Sequence, residues 1–343
     1  MNLQMISMSA SVAAALAAGA PHTAVAQELT GAGSTFAAPL YNRWASDYAA
    51  KTKVRVNYQP IGSGGGIRQF SEMTVDFGGT DGPMTDEQMS KAKGGPVLHV
   101  PVAMGAAVLV YNVPGVTTEL RMNGPVIAGI FLGKITKWND AAIKGINPGI
   151  ALPNQDIIVV HRSEGSGTTY MFTDYLTAVS PEWAEAVGKG GDVKWPVGLG
   201  GKGSDGVTGQ VKQLPGSIGY VELTYARQNK LEYAVVRNAA GNFVKPSTAS
   251  VTAAAAGIAK GLPANTDYRI SIVNAPGQDA YPISSMTWAL VYTHQSDPAK
   301  GKMLVDFLRY GLSQGQQAAE QLDYAPLPSP IVKQLKRRLD AVK

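Results

Sequence analysis

The chain contains no cysteine. That excludes a disulfide framework, a thiolate metal site and a cysteine nucleophile. It also leaves no N-terminal cysteine to carry a lipid. Histidine is scarce: the four residues are scattered, without the spacing of metal ligands. Charged side chains make up only 16% of the chain and the formal net charge is a mild +5. No dense Lys/Arg run is interleaved with aromatics, which argues against nucleic acid as a partner. The one basic cluster, Lys336-Arg337-Arg338, reads as the solvated face of a final helix. No Gly-Lys pair is followed by Ser or Thr, so a nucleoside-triphosphate loop is missing.

What is abundant is glycine, 39 residues, and apolar side chains, 45% of a 343-residue chain. That length exceeds one ordinary core and implies two domains. The glycines fit many tight turns and close backbone approach to a ligand. The first residues form a targeting segment: 8–18 are small and apolar, and Ala24-Val25-Ala26 offers a cleavage site before Gln27. No Lys or Arg precedes the apolar run, a departure from the usual pattern. Export as a periplasmic protein, released by its signal peptide (residues 1–26) and not lipid-anchored, is the expectation.

Three Gly/Ser-rich loops each stand before a helix-like run. Gly31-Ala32-Gly33-Ser34-Thr35-Phe36 precedes a stripe of Phe36, Leu40, Trp44 and Tyr48, four residues apart. Val54, Val56 and Tyr58 alternate as in a strand before Ile61-Gly62-Ser63-Gly64-Gly65-Gly66, after which a helix is expected from Ile67. Ile157-Ile158-Val159-Val160 reads as a strand running into His161-Arg162-Ser163-Glu164-Gly165-Ser166-Gly167-Thr168-Thr169, and a helix is expected over 170–178. A helix N-terminus offers free N–H groups and a partial positive charge, which suits an anion. Arg162 adds a guanidinium fork for an oxyanion. Each segment alone is also explained by a capped helix start.

Asp81 lies in Val75-Asp76-Phe77-Gly78-Gly79-Thr80-Asp81-Gly82-Pro83, where 75–77 read as the end of a strand and 81–83 as a turn. An aspartate here can simply cap its own turn. A carboxylate beside an anion makes sense when the anion carries a proton to donate. Singly protonated phosphate does, and sulfate at neutral pH does not, so the carboxylate would select between them.

At these segments the chain resembles the periplasmic phosphate-binding proteins of bacterial high-affinity phosphate ABC importers. The resemblance also covers Lys134-Ile135-Thr136-Lys137-Trp138-Asn139-Asp140, Leu214-Pro215-Gly216-Ser217-Ile218-Gly219-Tyr220-Val221-Glu222 and Ala280-Tyr281-Pro282-Ile283-Ser284-Ser285, in the family's order. It implies an α/β, two-lobed periplasmic binding protein of type II (Venus-flytrap) with two hinge crossings, near 105–109 and 279–283. Lobe one would comprise 27–107 and 282–343, lobe two 108–281. The implied phosphate ligands are Thr35, Phe36, Ser63, Asp81, Arg162, Ser166, Gly167 and Thr168. The family's carboxylate that fixes the arginine fork falls at Glu164, in place of a shorter aspartate. The implied partners are inorganic phosphate and the permease subunits of the importer. The protein is expected to be a monomer that needs no cofactor or metal and carries out no chemistry on its ligand.

Two alternatives belong beside that reading. One is a binder of another tetrahedral oxyanion, arsenate or sulfate; Asp81 disfavours sulfate and leaves arsenate open. The other is a phosphate-ester hydrolase, which needs a nucleophile or a metal-bound water. Ser166 lacks the elbow glycine two residues before it, because Glu164 stands there. Gly198-Leu199-Gly200-Gly201-Lys202-Gly203 spells a dinucleotide fingerprint but reads as a loop, since Trp195-Pro196 interrupts the strand it would need. Elsewhere, strands are expected over 99–102, 107–111 and 231–236, a core role for Trp183, and a helix over 250–256. The alternation of strand and helix argues for open sheets with ligands at the strand ends.

Overall fold

The computed structural model describes residues 28–259 and 266–343. The expected leader and its cleavage site lie outside the described residues. The chain runs β1 (Glu28–Gly33), α1 (Ala38–Thr52), β2 (Arg55–Gln59), α2 (Ser63–Ser71), β3 (Phe77–Thr80), α3 (Asp86–Ser90) and the long β4 (Val97–Asn112). Then follow β5 (Arg121–Met122), α4 (Gly124–Phe131), α5 (Ala141–Ile146), β6 (Ile158–Arg162), α6 (Gly167–Val179), α7 (Pro181–Ala186), β7 (Leu199–Gly201), α8 (Gly203–Gln213) and β8 (Ser217–Glu222). The last part comprises α9 (Leu223–Gln228), β9 (Glu232–Tyr233), β10 (Val235–Arg237), β11 (Phe243–Val244), α10 (Thr248–Ala259), β12 (Ser284–Tyr292), α11 (Pro298–Gly311), α12 (Gly315–Gln321) and α13 (Ser329–Leu339).

This is the α/β, two-lobed architecture of a type II binding protein. The strand order is β2-β1-β3-β12-β4-β8-β6-β7, with β9 also on β4. Two parallel groups, β2-β1-β3 and β8-β6-β7, lie on either side of the antiparallel pair β12 and β4. Strand β4 serves both groups. Residues 97–106 pair with β12, and residues 107–112 pair with β8. The partner change falls between Ala106 and Ala107, inside the stretch 105–109. There Ala107 donates its N–H to Ile283 O at 3.0 Å, and Tyr281 Oη donates to Ala107 O at 3.2 Å.

The core follows from the apolar runs. A central strand covered on both faces buries both sides whatever its direction, and every residue of β12, antiparallel to both neighbours, is buried. Trp44, Trp138, Trp183 and Trp288 are fully buried, so the core role of Trp183 holds. Phe36, Leu40, Trp44 and Tyr48 form one buried stripe, but α1 begins only at Ala38, with Phe36 standing ahead of it.

Several element expectations need correction. Residues 99–102 and 107–111 are one strand, because Gly105 and Ala106 continue the ladder to β12. Residues 75–77 do not end a strand: β3 starts at Phe77 and carries Gly78, Gly79 and Thr80 to the edge of Asp81. Helix α2 begins at Ser63, four residues before Ile67, since Gly62 at φ 89 makes the turn that lets the following glycines enter the helix. The stretch 231–236 divides into β9 and β10, which join different sheets. The Ala-rich run over 250–256 lies within α10, as expected.

Candidate functional site

Four helix starts meet where the two strand groups face each other. Three are the expected ones, α1, α2 and α6. The fourth, α8, comes from the segment read as a loop. Leu199–Gly201 is the short strand β7, parallel to β6, and α8 starts two residues later. The tryptophan and proline before it do not prevent pairing, because only three residues are needed for the strand.

The contacts between these starts are direct. Thr35 Oγ1 and Ser204 Oγ lie 3.1 Å apart, joining α1 to α8. Gly64 N–H donates to Gly165 O at 2.9 Å, joining α2 to the α6 loop. An ideal Cβ on Gly167 would lie 2.6 Å from Asp81 N and 2.6 Å from Ser63 Oγ. Only glycine fits at that seam, so the two halves are closed on each other here.

Asp81 sits at the middle, 1% exposed. Its carboxylate lies within hydrogen-bond distance of three hydroxyls. Ser34 Oγ stands 2.6 Å from Oδ1, Thr287 Oγ1 donates to Oδ1 at 2.7 Å, and Ser63 Oγ donates to Oδ2 at 3.4 Å. Thr287 reaches it by register: β12 runs antiparallel to β3 with Trp288 opposite Thr80, so the next residue of each strand brings Thr287 to Asp81. Burial pushes the Asp81 carboxyl up to about 6, opposed by the hydroxyl bonds and by the Arg162 charge.

Arg162 ends β6 and is 4% exposed. Its Nε donates to Glu164 Oε1 at 3.0 Å and its Nη2 bonds the same oxygen. The longer glutamate therefore reaches the fork. Glu164 Oε1 also accepts from Gly203 N–H at 3.1 Å, tying Arg162 to the start of α8. Nη1 faces Thr168 Oγ1 at 3.4 Å. Ser166 caps α6, accepting from Thr169 N–H at 3.1 Å.

The Thr35–Phe36 backbone is held from behind by two tyrosines. Tyr225 Oη donates to Thr35 O at 2.8 Å, and Tyr324 Oη donates to Phe36 O at 2.6 Å. Among the described residues, the N–H groups of Thr35, Phe36, Gly167 and Thr168 have no hydrogen-bond acceptor. All four residues are buried. Buried N–H groups are rarely left unpaired, and four of them at helix starts, with the Arg162 guanidinium 3.4 Å from Thr168 Oγ1, suit an oxyanion.

All eight expected ligand residues are thus in one place. The sequence reading missed Ser34, Ser204, Tyr225 and Thr287. Ser34 was visible inside its own motif. Thr287 carried no local signal, because only the pairing of β12 with β3 brings it to Asp81. The hydrolase alternative gains no support: the His161 ring stacks on Trp195 at 4.8 Å, and its Nδ1 faces Arg162 O. Among the described residues, no group of His, Asp and Glu could hold a metal ion. No described helix is long and apolar enough to cross a membrane.

The family model for a PBP superfamily domain matches residues 18–314. A phosphate-binding protein PstS of Xylella fastidiosa (strain Temecula1) is 46% identical over 90% of this chain and 84% of its own. Another from Methanocaldococcus jannaschii is 39% identical over 88% of this chain and 82% of its own. Among solved structures, a high-affinity periplasmic phosphate-binding protein (PfluDING) bound with phosphate superposes with TM-score 0.72. Its identity is 21%, over 91% of this chain and 93% of that one. An ABC-type phosphate transport receptor from Vibrio cholerae gives 0.57 at 18% identity, over 88% of this chain and all of that one. At such identities these structures speak for the fold.

Proposed function

The chain belongs to the PBP superfamily and, within it, to the PstS phosphate-binding proteins, and from that premise we propose how this site takes and releases its ligand. The protein binds inorganic phosphate in the periplasm and delivers it to the permease of an ABC importer. The anion sits among the starts of α1, α2, α6 and α8. Thr35 and Ser63 donate through hydroxyl or backbone N–H, and Phe36, Gly167 and Thr168 through backbone N–H. Ser166 contributes from the α6 cap. Arg162, fixed by Glu164, supplies the charged fork.

The observation that carries the reading is Asp81. A buried carboxylate among anion donors would repel an anion that brings no proton. A protonated phosphate oxygen can donate to it. Sulfate would leave it facing a lone pair, at a cost of roughly 1–3 kcal/mol or more. Arsenate shares the proton and the shape of phosphate, so this filter does not separate the two.

The residues around the ligand come from both sides of the β4 partner change. We assign 27–107 and 282–343 to lobe one and 108–281 to lobe two, with the crossings in β4 and before β12. Ligand bonds from both lobes favour the closed state, as ligand-driven closure requires. The leader 1–26 would be removed on export, leaving a monomer without catalytic activity. Calorimetric titration of the anion-stripped protein tests the reading. Tight one-to-one binding of phosphate with no heat from sulfate supports it, and equal binding of the two would overturn the role of Asp81.

A further inference from the structure

The positive charge of this protein is concentrated at one end of lobe one. Residues 329–343 hold Lys333, Lys336, Arg337, Arg338 and Lys343 against a single acid, Asp340, an excess of four within a chain total of +5. Helix α13 buries Leu335 and Leu339. Lys333, Lys336 and Arg337 are spaced i, i+3 and i+4 and share one helix face. With Arg309 and Ser313 of the neighbouring α11 segment and with Asp340, they line a surface groove of about 410 Å³.

Most of this charge has no internal use. Arg338 is occupied, bonded to Thr266 O and lying 4.8 Å from the centre of the Tyr268 ring. Arg309 is paired with Asp340. Lys333, Lys336 and Arg337 make no side-chain hydrogen bond or ion pair among the described residues. Like charges at this spacing repel and weaken the helix. The helix dipole rewards cations in the last turn, which accounts for Lys336 and Arg337. It accounts neither for Lys333 nor for the convergence with Arg309 on a second helix.

We propose that this face of α11 and α13 docks on a bilayer surface rich in anionic phospholipid headgroups. A shallow groove walled by flexible cations suits many headgroup phosphates in a plane. It lacks the aromatic platforms that single-stranded nucleic acid stacks on, since no aromatic residue lines it. The site residues lie elsewhere, so the surface and the phosphate cleft can be used together. The proposal stands on the charge distribution and not on the phosphate reading. Where both hold, the cations keep the carrier beside the membrane that houses its permease.

The test is flotation of the purified protein with vesicles of phosphatidylglycerol and phosphatidylcholine, and with vesicles of phosphatidylcholine alone. Each cation near an anionic surface is worth about fivefold in partitioning. The triple variant Lys333→Gln/Lys336→Gln/Arg337→Gln should therefore bind the anionic vesicles roughly a hundredfold more weakly. Binding should also fall as ionic strength rises, while the phosphate isotherm and thermal midpoint stay at wild-type values. Equal binding to neutral vesicles, or no loss in the triple variant, overturns the proposal. So does stronger competition by a double-stranded oligonucleotide than by soluble phosphatidylglycerol micelles.

Discussion

Ser34 Oγ lies 2.6 Å from Oδ1 and 2.7 Å from Oδ2 of Asp81, although a serine hydroxyl has one hydrogen to give. One hydrogen shared between the two carboxylate oxygens, a three-centre bond, accounts for both contacts. Ser34 Oγ also accepts from Ala37 N–H at 3.0 Å, which fixes the hydroxyl at the start of α1. These bonds favour the ionised carboxylate, and burial outweighs them, pushing the carboxyl up to about 6.

The first prediction concerns stability against pH in the ligand-free protein. A carboxyl whose pKa is raised on folding binds its proton more tightly in the native state. Its contribution to stability is fully present below the unfolded value and is lost as pH rises through about 6. A rise of this size corresponds to about 3 kcal/mol. Asp81→Asn should thus be more stable than wild type at pH 7.5 by about 1–3 kcal/mol in denaturant unfolding. The gap should close near pH 4. A variant less stable than wild type at pH 7.5 would contradict the raised carboxyl pKa.

The same substitution should change selectivity. Asp81→Asn presents an amide that can face an unprotonated oxyanion oxygen, so the preference for phosphate over sulfate should fall by roughly ten- to a hundredfold. Parallel titrations with both anions read this ratio, and an unchanged ratio removes Asp81 as the filter.

Arg162→Ala should weaken phosphate binding by about 1.5–3 kcal/mol without abolishing it, because the helix starts remain. Arg162→Lys should recover little of the loss, since an ammonium cannot reproduce a fork held by Glu164. Calorimetry at fixed ionic strength distinguishes these outcomes.

Tyr225→Phe removes the bond to Thr35 O, which joins the proposed lobe two to lobe one without touching the ligand. Affinity should fall by roughly three- to tenfold, the worth of one neutral hydrogen bond. The change should appear in the dissociation rate, because the bond forms only on closure. Stopped-flow release of phosphate is the measurement, and a change confined to the association rate would point elsewhere.

Gly167→Ala places a methyl group where Asp81 N and Ser63 Oγ stand 2.6 Å away. It should hold the lobes apart and lower affinity by more than a hundredfold while each lobe stays folded. Small-angle scattering with saturating phosphate should then give the larger radius of the open form, whereas wild type contracts.

Much of this site could be read from the sequence, for a physical reason. Anion binding by helix starts uses short contiguous segments, so Gly31 to Phe36, Gly62 to Gly66 and Arg162 to Thr169 each carry their own signature. What escaped was what tertiary structure supplies. Thr287 faces Asp81 from over two hundred positions away, through the pairing of β12 with β3. Tyr225 and Tyr324 look like ordinary core aromatics until the carbonyls they hold are known. The start of α8 was hidden because β7 is only three residues long. Likewise β4 looked like two strands, because nothing local shows that one ladder hands over to another at Ala107.

The placement of β12 has a consequence for how the chain reaches its native state. It lies between β3 and β4 in the sheet, yet it is the last strand in the sequence. Until residue 292 is available, β3 and β4 are held apart with bare edges, and pairs such as Thr80 with Trp288 must span most of the chain. Such non-local pairing is slow, and unpaired edges invite association with other chains. A chain stopped short of β12 lacks the strand that joins β3 to β4, so its first-made half is expected to stay loosely organised until almost all of it has been synthesised. For a chain exported as proposed, that delay would keep it threadable.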